Sequence, residues 1–375
     1  MKIAFVYDAV YPWVKGGAEK RIYEIGKRLV ERGHEVHLFG MKWWEGEDII
    51  ELEGMILHGV CKSGKLYTNG RRSIIQALIF SISLFRPLLK EKFDIIDVSV
   101  FPYFSCFTGK AVSVIKRTPL VFTWHEVWDD YWYEYLGKIG FFGLLIERIV
   151  SKLSENNIAV SGWTKRKMES IGIKTENSYT VPNGIDLEQI HKIKSPDDKS
   201  DIVFAGRLIK EKNVDLLLKA IYLVKYSKPD VNCIIMGDGP EKENLRKLTD
   251  KLELTNNVLF MGFMQYEDLI RNIKGSKVMA LPSRREGFGI IAIEGFACGK
   301  PVVTTNSKNN ATQEIVTDSI NGFVVEGEEE FARVIEKVLD DNILYSKLAE
   351  NSESEAQKYN WESIYITCIS IYEQI

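Results

Sequence analysis

Hydrophobic residues along the chain form short runs that alternate with longer segments of helical periodicity. Ile3–Tyr7 is an apolar run rich in β-branched and aromatic residues, which is typical of a buried strand. Ala18–Glu31 then carries apolar side chains at Ile22, Ile25 and Leu29, the spacing of an amphipathic helix. Strands and helices that alternate in this way predict an α/β fold with a parallel sheet covered on both faces.

The alternation runs through the chain twice. In the first half, further strands are predicted at Val36–Phe39, Ile95–Val98, Leu120–Thr123 and Asn157–Val160. The pattern restarts beyond a boundary near residues 181–200, with strands predicted at Ile202–Ala205, Cys233–Met236, Val258–Met261, Val278–Leu281, Pro301–Thr305 and Gly322–Val325. Helices are predicted at about 214–226, at 241–252, from 289, and twice near the C-terminus. A length of 375 residues agrees with two domains.

Composition narrows the functional classes. A net charge of −3 argues against a general nucleic-acid binder. The five cysteines are odd in number and none are paired at C-x-x-C spacing, which favours a reducing cytoplasm and no cysteine-built zinc site. The first residues form a strand pattern rather than a signal peptide. Ile74–Leu89 is apolar but shorter than the ~20 residues that span a bilayer, so we expect a buried or interfacial helix, with core packing favoured.

Two cations follow the first strand of the second half. Arg207 offers a planar fork and Lys212 a mobile point charge, a combination that suits a diphosphate. The alternative is a solvated loop, which is the preferred interpretation of Lys210. A glycine turn, Met236–Pro240, follows the next strand, but its spacing departs from the dinucleotide-binding fingerprint.

The most specific segment is Pro282–Glu294. It follows a strand, and its glycines, Gly287 and Gly289, precede a helix whose first amides can hold a phosphate. Glu286 and Glu294 can accept hydrogen bonds from sugar hydroxyls at two points. A capping loop with a surface glutamate is the alternative.

The first half offers weaker candidates. Gly16 and Gly17 precede a helix, and the pair either admits a ligand or makes a tight turn. His125 is the one histidine at the carboxyl end of a predicted strand among aromatic residues, where a structural role is also open. A His-Glu-x-x-His zinc motif is excluded because Asp129 stands at its last position.

These motifs together resemble glycosyltransferase family 4, the retaining transferases of the GT-B fold. The matching segments occur in the family's order and cover most of the chain: Gly16–Glu19, Val181–Asp186, Gly206–Lys212, Gly237–Pro240, Glu286–Glu294 and Gly299–Val303. The resemblance implies two Rossmann-like domains that face a central cleft. We expect an acceptor-side domain over residues 1–181, completed by a helix at 361–375, and a donor-binding domain over residues 182–360.

The resemblance also implies roles for individual residues. The catalytic set would be His125, near the reacting carbon of the sugar, with Arg207, Lys212 and Glu286. Arg207 and Lys212 would bind the donor diphosphate, Glu286 the donor sugar and Glu294 the ribose. The remaining donor contacts would come from Gly16, Gly17, Gly262, Phe263, Met264, Gly287, Phe288, Gly289 and Ile290.

The implied activity is transfer of a hexosyl group from a UDP- or GDP-sugar to an acceptor hydroxyl, with retention and without a metal or other cofactor. The acceptor would be a sugar, polysaccharide or lipid-linked glycan of the cell envelope, and the enzyme cytoplasmic or peripheral on the membrane. A nucleotide-sugar epimerase and a non-catalytic nucleotide-sugar-binding subunit are the alternatives. Two departures from the family's pattern bear on sugar specificity: Glu126 replaces the usual Asp, and Asn309-Asn310 replaces Gly-Gly.

Overall fold

The computed structural model describes residues 1–64, 66–68 and 71–375, and the chain divides into two units. The first unit contains Met1–Asn183 together with Trp361–Ile375, and the second contains Gly184–Asn360. Each unit has its own sheet of mostly parallel strands with helices packed against it.

The sheet of the first unit has eight strands in the order β10-β9-β8-β7-β1-β2-β4-β3. Its strands, with the short hairpin β5–β6, are β1 Lys2–Val6, β2 Glu35–Lys42, β3 Ile49–Leu52, β4 Met55–Lys62, β5 Tyr67–Thr68, β6 Arg71–Arg72, β7 Ile95–Ser99, β8 Leu120–Trp124, β9 Asn156–Ala159 and β10 Ser178–Thr180. Within the eight-stranded sheet all pairs are parallel except β3 with β4, which form an antiparallel edge hairpin.

Helices cover both faces of this sheet. They are α1 Gly17–Glu31, α2 Ile74–Lys90, α3 Phe104–Lys116, α4 Tyr131–Leu136, α5 Gly140–Val150, α6 Gly162–Ser170 and, from the end of the chain, α15 Trp361–Gln374. One core packs α1 and α15 against Ile3 and Phe5 of β1, and the other packs α2, α3 and α5 against residues such as Phe39. Alternate residues of the strands face opposite cores, so the central strands are apolar throughout.

The second unit has six parallel strands in the order β13-β12-β11-β14-β16-β18. Its strands, with a separate two-residue pair β15–β17, are β11 Ser200–Ala205, β12 Cys233–Met236, β13 Val258–Gly262, β14 Ser276–Leu281, β15 Arg285–Glu286, β16 Val302–Thr305, β17 Asn309–Asn310 and β18 Gly322–Val325. Its helices are α7 Leu187–Lys192, α8 Val214–Ser227, α9 Lys242–Lys251, α10 Tyr266–Gly275, α11 Ile290–Ala297, α12 Thr312–Ile315, α13 Gly327–Asp340 and α14 Asn342–Ala356.

The last helix, α15, returns to the first unit and is held there by apolar and polar contacts. Trp361 is buried, and the Tyr372 hydroxyl donates to a carboxylate oxygen of Asp97 on β7 at 2.5 Å. The guanidinium of Arg32 lies 4.3 Å from the ring centre of Tyr365. The first unit is therefore assembled from both ends of the sequence.

The structure differs from the predicted pattern in three places. The C-terminal part contains three helices, α13 to α15, rather than two. The hairpin β3–β4 was not predicted because β3 is half exposed and lies at the edge of the sheet. Helix α2 buries only one face, and its other face leaves Ile75 and Ile82 exposed at 70% and 76%. Among the described residues, no helix combines the length and apolarity needed to cross a membrane.

Candidate active site

Four loops leave the carboxyl ends of neighbouring strands in the second unit. They follow β11, β12, β13 and β14, and because those strands are parallel the loops lie at one edge of the sheet. Backbone hydrogen bonds join them: the Gly206 amide donates to Met236 at 3.0 Å, and the Gly237 amide donates to Gly262 at 2.7 Å. The motifs at Gly206–Lys212 and Gly237–Pro240, and the start of Glu286–Glu294, therefore lie in loops that share this edge.

Gly237 allows the first two loops to approach closely. Its φ of 139° lies in a region that side chains rarely adopt, and an added Cβ would lie 1.9 Å from the Gly206 carbonyl oxygen. A side chain here would force apart the loop that carries Arg207 and the end of β12. The weak Gly-Asp-Gly-Pro motif thus has a packing explanation of its own.

Lys212 and Glu286 form an ion pair across two of these loops. Their side chains are 15% and 21% exposed, so the pair is only partly shielded from solvent. The Arg284 amide also donates to the Glu211 carbonyl at 2.8 Å, which fixes the two loops to each other. Without a ligand, the cation expected to bind phosphate and the carboxylate expected to bind sugar neutralise each other.

Arg207 differs from Lys212 because its side chain is exposed. Among the described residues its guanidinium makes no hydrogen bond or ion pair. Its five N–H donors are consequently available to a ligand. Lys210 is also exposed, as expected of a solvated loop residue.

The loop after β14 leads directly into α11. Gly289 precedes the helix with φ of 92°, and an added Cβ would lie 2.6 Å from the Thr312 hydroxyl. Gly287 and Ile290 are partly exposed, whereas the Phe288 side chain is buried and packs edge-on against Tyr359 at 5.9 Å. The loop therefore leads its glycines to the N-terminus of α11 and keeps its one aromatic ring in the core.

Asn310 supports this loop from the side. Asn310 is fully buried. Its side-chain Nδ2 donates to the Thr304 hydroxyl and to the Thr305 carbonyl at 3.0 Å each, and its side-chain Oδ1 accepts from the backbone amide of Thr312. Asn309 and Asn310 form a strand paired with Arg285 and Glu286. Both asparagines are extended, so neither needs the left-handed backbone that glycine tolerates.

Glu294 lies in α11 and is only 6% exposed. A buried carboxylate needs a partner, and Glu294 interacts electrostatically with Tyr266 at the start of α10. Burial, followed by the charge of Glu294, raises the pKa of Tyr266 far above its usual value. Sequence reasoning required a partner for Glu294 but missed Tyr266, which stands in a polar segment without a recognisable motif.

The loop after β13 carries the three residues expected to border the base. Gly262 has a φ of 76°, Met264 is partly exposed, and the ring of Phe263 is 68% exposed. An aromatic ring left in solvent at the end of this strand is suited to stacking on a planar group.

In the first unit, His125 directly follows β8. Its Nε2 lies 3.4 Å from the Ser99 hydroxyl, and its ring centre lies 6.4 Å from that of Tyr7. Burial and, to a smaller extent, the positive charge of Arg21 lower the pKa of His125 to about 3. The imidazole is therefore neutral at physiological pH and can accept or donate a hydrogen bond, but it is a poor proton donor.

A buried polar network lies beneath His125. Asp97 accepts hydrogen bonds from Thr123 at 2.8 and 3.0 Å and from Tyr372. Arg21, Asp97, Ser99, Thr123 and Tyr372 help to line a cavity of about 10 Å³, roughly the size of one water molecule. Sequence reasoning missed this network because its members come from α1, β7, β8 and α15.

The loop that follows His125 is held by Glu147 of α5, which is fully buried. Its carboxylate accepts hydrogen bonds from the Tyr103 hydroxyl at 2.6 Å and from the amides of Trp128 and Asp129 at 2.8 and 2.7 Å. Glu126, the departure from the family's Asp, accepts from the Trp128 indole at 2.7 Å. Both glutamates therefore position the loop.

Gly16 and Gly17 stand at the start of α1, where Gly16 is extended and exposed. An added Cβ on Gly16 would lie 2.4 Å from a carboxylate oxygen of Glu19. The first turn of the helix thus already has an acidic side chain near its positive end, and an anionic ligand would have to move Glu19 aside.

Comparison with known proteins agrees with this architecture. Two family models match, Glycosyltransferase Family 4 over residues 15–189 and Glycosyl transferases group 1 over residues 186–355. An uncharacterized glycosyltransferase of Methanocaldococcus jannaschii is 26% identical, covering 100% of this chain and 98% of the relative. The alpha-monoglucosyldiacylglycerol synthase of Acholeplasma laidlawii is 22% identical, covering 99% and 96%. The crystal structure of Anabaena HepE in complex with UDP and glucose matches with a TM-score of 0.78, at 21% identity and 100% coverage of both chains.

Two parallel-sheet units and these likenesses define a glycosyltransferase of the GT-B fold, which confirms the predicted fold class. The two family models together extend from residue 15 to residue 355. The chain belongs to glycosyltransferase family 4, as its motifs predicted, and it is a transferase.

The lowered pKa of His125 predicts a specific pH dependence of stability. Between pH 7 and pH 5 the unfolded chain protonates this histidine while the folded protein does not, so stability present above pH ~6.5 is lost on acidification. Replacing His125→Asn should remove up to about 2 kcal/mol of the difference in unfolding free energy between these pH values. Urea denaturation of the wild type and of His125→Asn at pH 7 and pH 5 measures this difference in unfolding free energy.

The matched control is His191→Asn, because His191 is exposed in the second unit. An unfolding free energy that changes with pH equally in the wild type and in His125→Asn would contradict the lowered pKa.

Proposed function

We propose that this transferase moves a hexosyl group from a UDP- or GDP-sugar to an acceptor hydroxyl, with retention of configuration and without a catalytic metal. The observation that carries the proposal is the set of ligand-accessible groups on the loops of the second unit. Arg207 is exposed and unpaired among the described residues, and Lys212 is partly exposed. The loop before α11 leads into the N-terminus of that helix. Such a set suits a diphosphate.

The two glutamates supply contacts of a different kind. Glu294 is buried and would accept hydrogen bonds from the ribose, while Glu286 is more exposed and would contact the donor hexose. The complex of HepE with UDP and glucose supports a nucleotide sugar of this class as donor. A UDP- or GDP-sugar satisfies the cations, the amides and both carboxylates together.

Binding of the diphosphate would reorganise the ion pair. A phosphate oxygen competes with Glu286 for the Lys212 ammonium, so the carboxylate becomes available to the hexose when the donor arrives. The cost of separating a partly exposed pair is small, about 1 kcal/mol or less. Donor binding thereby assembles the phosphate and sugar contacts in one step.

In the reaction, the bond from the anomeric carbon to the β-phosphate oxygen breaks, and its electron pair stays on the diphosphate. The acceptor oxygen forms its bond on the same face of the sugar, and its proton passes to the departing phosphate oxygen. Arg207, Lys212 and the start of α11 would stabilise the developing charge. Neutral His125 would hold a sugar hydroxyl rather than transfer a proton.

A first test uses turnover of UDP-glucose, UDP-N-acetylglucosamine and GDP-mannose with membrane lipid extract as acceptor. Lys212→Ala should lower kcat by roughly 100-fold to 1,000-fold, because the leaving group loses a cation in the transition state. Lys210→Ala is the matched control, and its kcat should stay within about twofold of wild type because its side chain is exposed.

Equal rates for Lys212→Ala and wild type would contradict the phosphate assignment. Conversion of a donor to its epimer without acceptor would instead identify an epimerase. Donor binding without any turnover would favour a non-catalytic subunit.

We further propose that the enzyme works in the cytoplasm at the membrane surface, on an acceptor linked to lipid. The five cysteines form no disulfide, in agreement with a reducing compartment. Helices α2, α3 and α5 cover the same face of the first sheet and present exposed apolar side chains outward: Ile75, Leu78, Ile79, Ile82, Phe107, Val114, Ile115, Phe141, Phe142, Leu145 and Ile149. An apolar face of this extent is unusual on a monomer.

The charges on these helices are of one sign. α2 and α3 contain no acidic residue, and the one acid of α5, Glu147, is fully buried. Arg86, Lys90 and Arg148 are exposed on the same helices. Arg148 pairs with Asp129 at 3.5 Å, so Arg86 and Lys90 carry the remaining exposed positive charge. Apolar side chains beside exposed basic residues are typical of proteins that lie on an anionic bilayer. The lipid-synthase relative from Acholeplasma laidlawii supports the same partner.

We expect the exposed apolar side chains of α2, α3 and α5 to bind lipid vesicles. The protein should float with vesicles of phosphatidylglycerol and phosphatidylcholine in equal parts, and less with phosphatidylcholine alone. The double variant Ile75→Glu, Ile82→Glu should weaken binding by roughly 100-fold or more, since two exposed isoleucines no longer enter the interface.

Ile343→Glu is the matched control, because Ile343 is 85% exposed on α14 in the second unit. If both variants float like the wild type, the proposed membrane surface is wrong, although donor chemistry would be unaffected.

A further inference from the structure

Two buried histidines contact each other on the neighbouring strands β2 and β4 of the first sheet. His37 on β2 and His58 on β4 are 2% and 8% exposed, and His37 Nδ1 lies 2.8 Å from His58 Nε2. Their rings are nearly parallel, at 15°, with ring centres 5.1 Å apart. Glu91, the residue after α2, completes the cluster, and each of the three offers a ligand atom within 4.8 Å of the others.

We propose that His37, His58 and Glu91 form a binding site for a divalent transition-metal ion of the zinc class. Imidazole nitrogens with one carboxylate are a common ligand set for such ions. Metal–ligand bonds of about 2.0–2.1 Å place tetrahedral ligand atoms about 3.3 Å apart. The two histidine nitrogens would separate by about half an ångström from their hydrogen-bonded position to admit the ion, a movement within side-chain reach.

An outer carboxylate already orients one ligand. His37 Nε2 lies 2.9 Å from an oxygen of Glu35, so this nitrogen carries the proton and Nδ1 keeps its lone pair. A carboxylate that accepts from the distal nitrogen of a liganding histidine is a recurrent support of metal sites. On binding, His58 would move its proton from Nε2 to Nδ1, so both imidazoles remain neutral and no proton is lost.

The chain also supplies a competitor for the metal. The Lys2 ammonium pairs with Glu35 at 2.8 Å and with Glu91, and it lies 5.5 Å from the ring centre of Phe93. A divalent ion must draw Glu91 away from this ammonium. Lys2 therefore sets the affinity of the site, and its removal should strengthen metal binding.

The test titrates the tag-free full-length protein with CoCl2 and follows the visible d–d absorption of the protein-bound ion, with ZnCl2 as displacing ion. The wild type should develop this absorption with one equivalent of Co2+ and lose it to Zn2+. Glu91→Gln should bind at least tenfold more weakly, His37→Asn should give no specific absorption, and Lys2→Gln should bind about tenfold more tightly.

The variants distinguish loss of a metal ligand from loss of the fold. Glu91 is partly exposed, so Glu91→Gln tests the site without risk to the core, and His191→Asn is the matched control that should bind like the wild type. Absence of the absorption in both wild type and Lys2→Gln, its persistence in His37→Asn, or an unchanged cobalt affinity of Glu91→Gln would overturn the proposal. Equal affinity of Lys2→Gln and wild type would also overturn it, because the carboxylate would then not be a ligand. No residue of this site belongs to the donor-binding loops, so its failure would leave the proposed function standing.

Discussion

Parallel pairing of the strands in the second unit is the constraint on which the candidate donor site depends. It brings the ends of β11, β12, β13 and β14 to one edge, and the segments that carry Arg207, Lys212, Gly262 and Glu286 lie in loops at this edge. The loops then approach as closely as their backbones allow, because Gly237 has no Cβ to meet the Gly206 carbonyl. Cations, carboxylates and amides far apart in sequence consequently lie on neighbouring loops.

Two buried carboxylates of the first unit have specific partners. Glu147 accepts three hydrogen bonds, and Asp97 accepts from Thr123 and Tyr372. Each arrangement offsets the cost of removing a carboxylate from water. The effect of Glu147 on function is indirect, because it fixes the loop after His125.

Much of the fold was predictable because apolar periodicity reports directly on which face of an element is buried. The central strands, and the helices whose bounds were predicted, lie close to their predicted positions. The hairpin β3–β4 was not predicted, since an exposed edge strand has little apolar signal. Helix α2 was expected to pack into the core, but half of its apolar residues face solvent, and a sequence pattern does not distinguish a core from a membrane as the apolar partner.

The residues that support the candidate site were less visible in the sequence. Motifs pointed to Arg207, Lys212, Glu286 and Glu294, yet the Lys212–Glu286 pair depends on two loops separated by 74 positions. Asn310 substitutes for glycine through side-chain hydrogen bonds rather than through backbone conformation. Such partnerships arise from tertiary packing, and local sequence carries no signal for them.

Calorimetric titration of the purified protein with UDP and with GDP, each with and without EDTA, tests the central claim most directly. The claim is that side-chain cations on the second unit bind a nucleotide diphosphate. We predict micromolar binding of one of the two nucleotides, unchanged by EDTA and lost in Arg207→Ala. Binding of neither nucleotide, or equal binding by wild type and Arg207→Ala, would contradict the donor site, and loss of binding in EDTA would contradict its independence from metal.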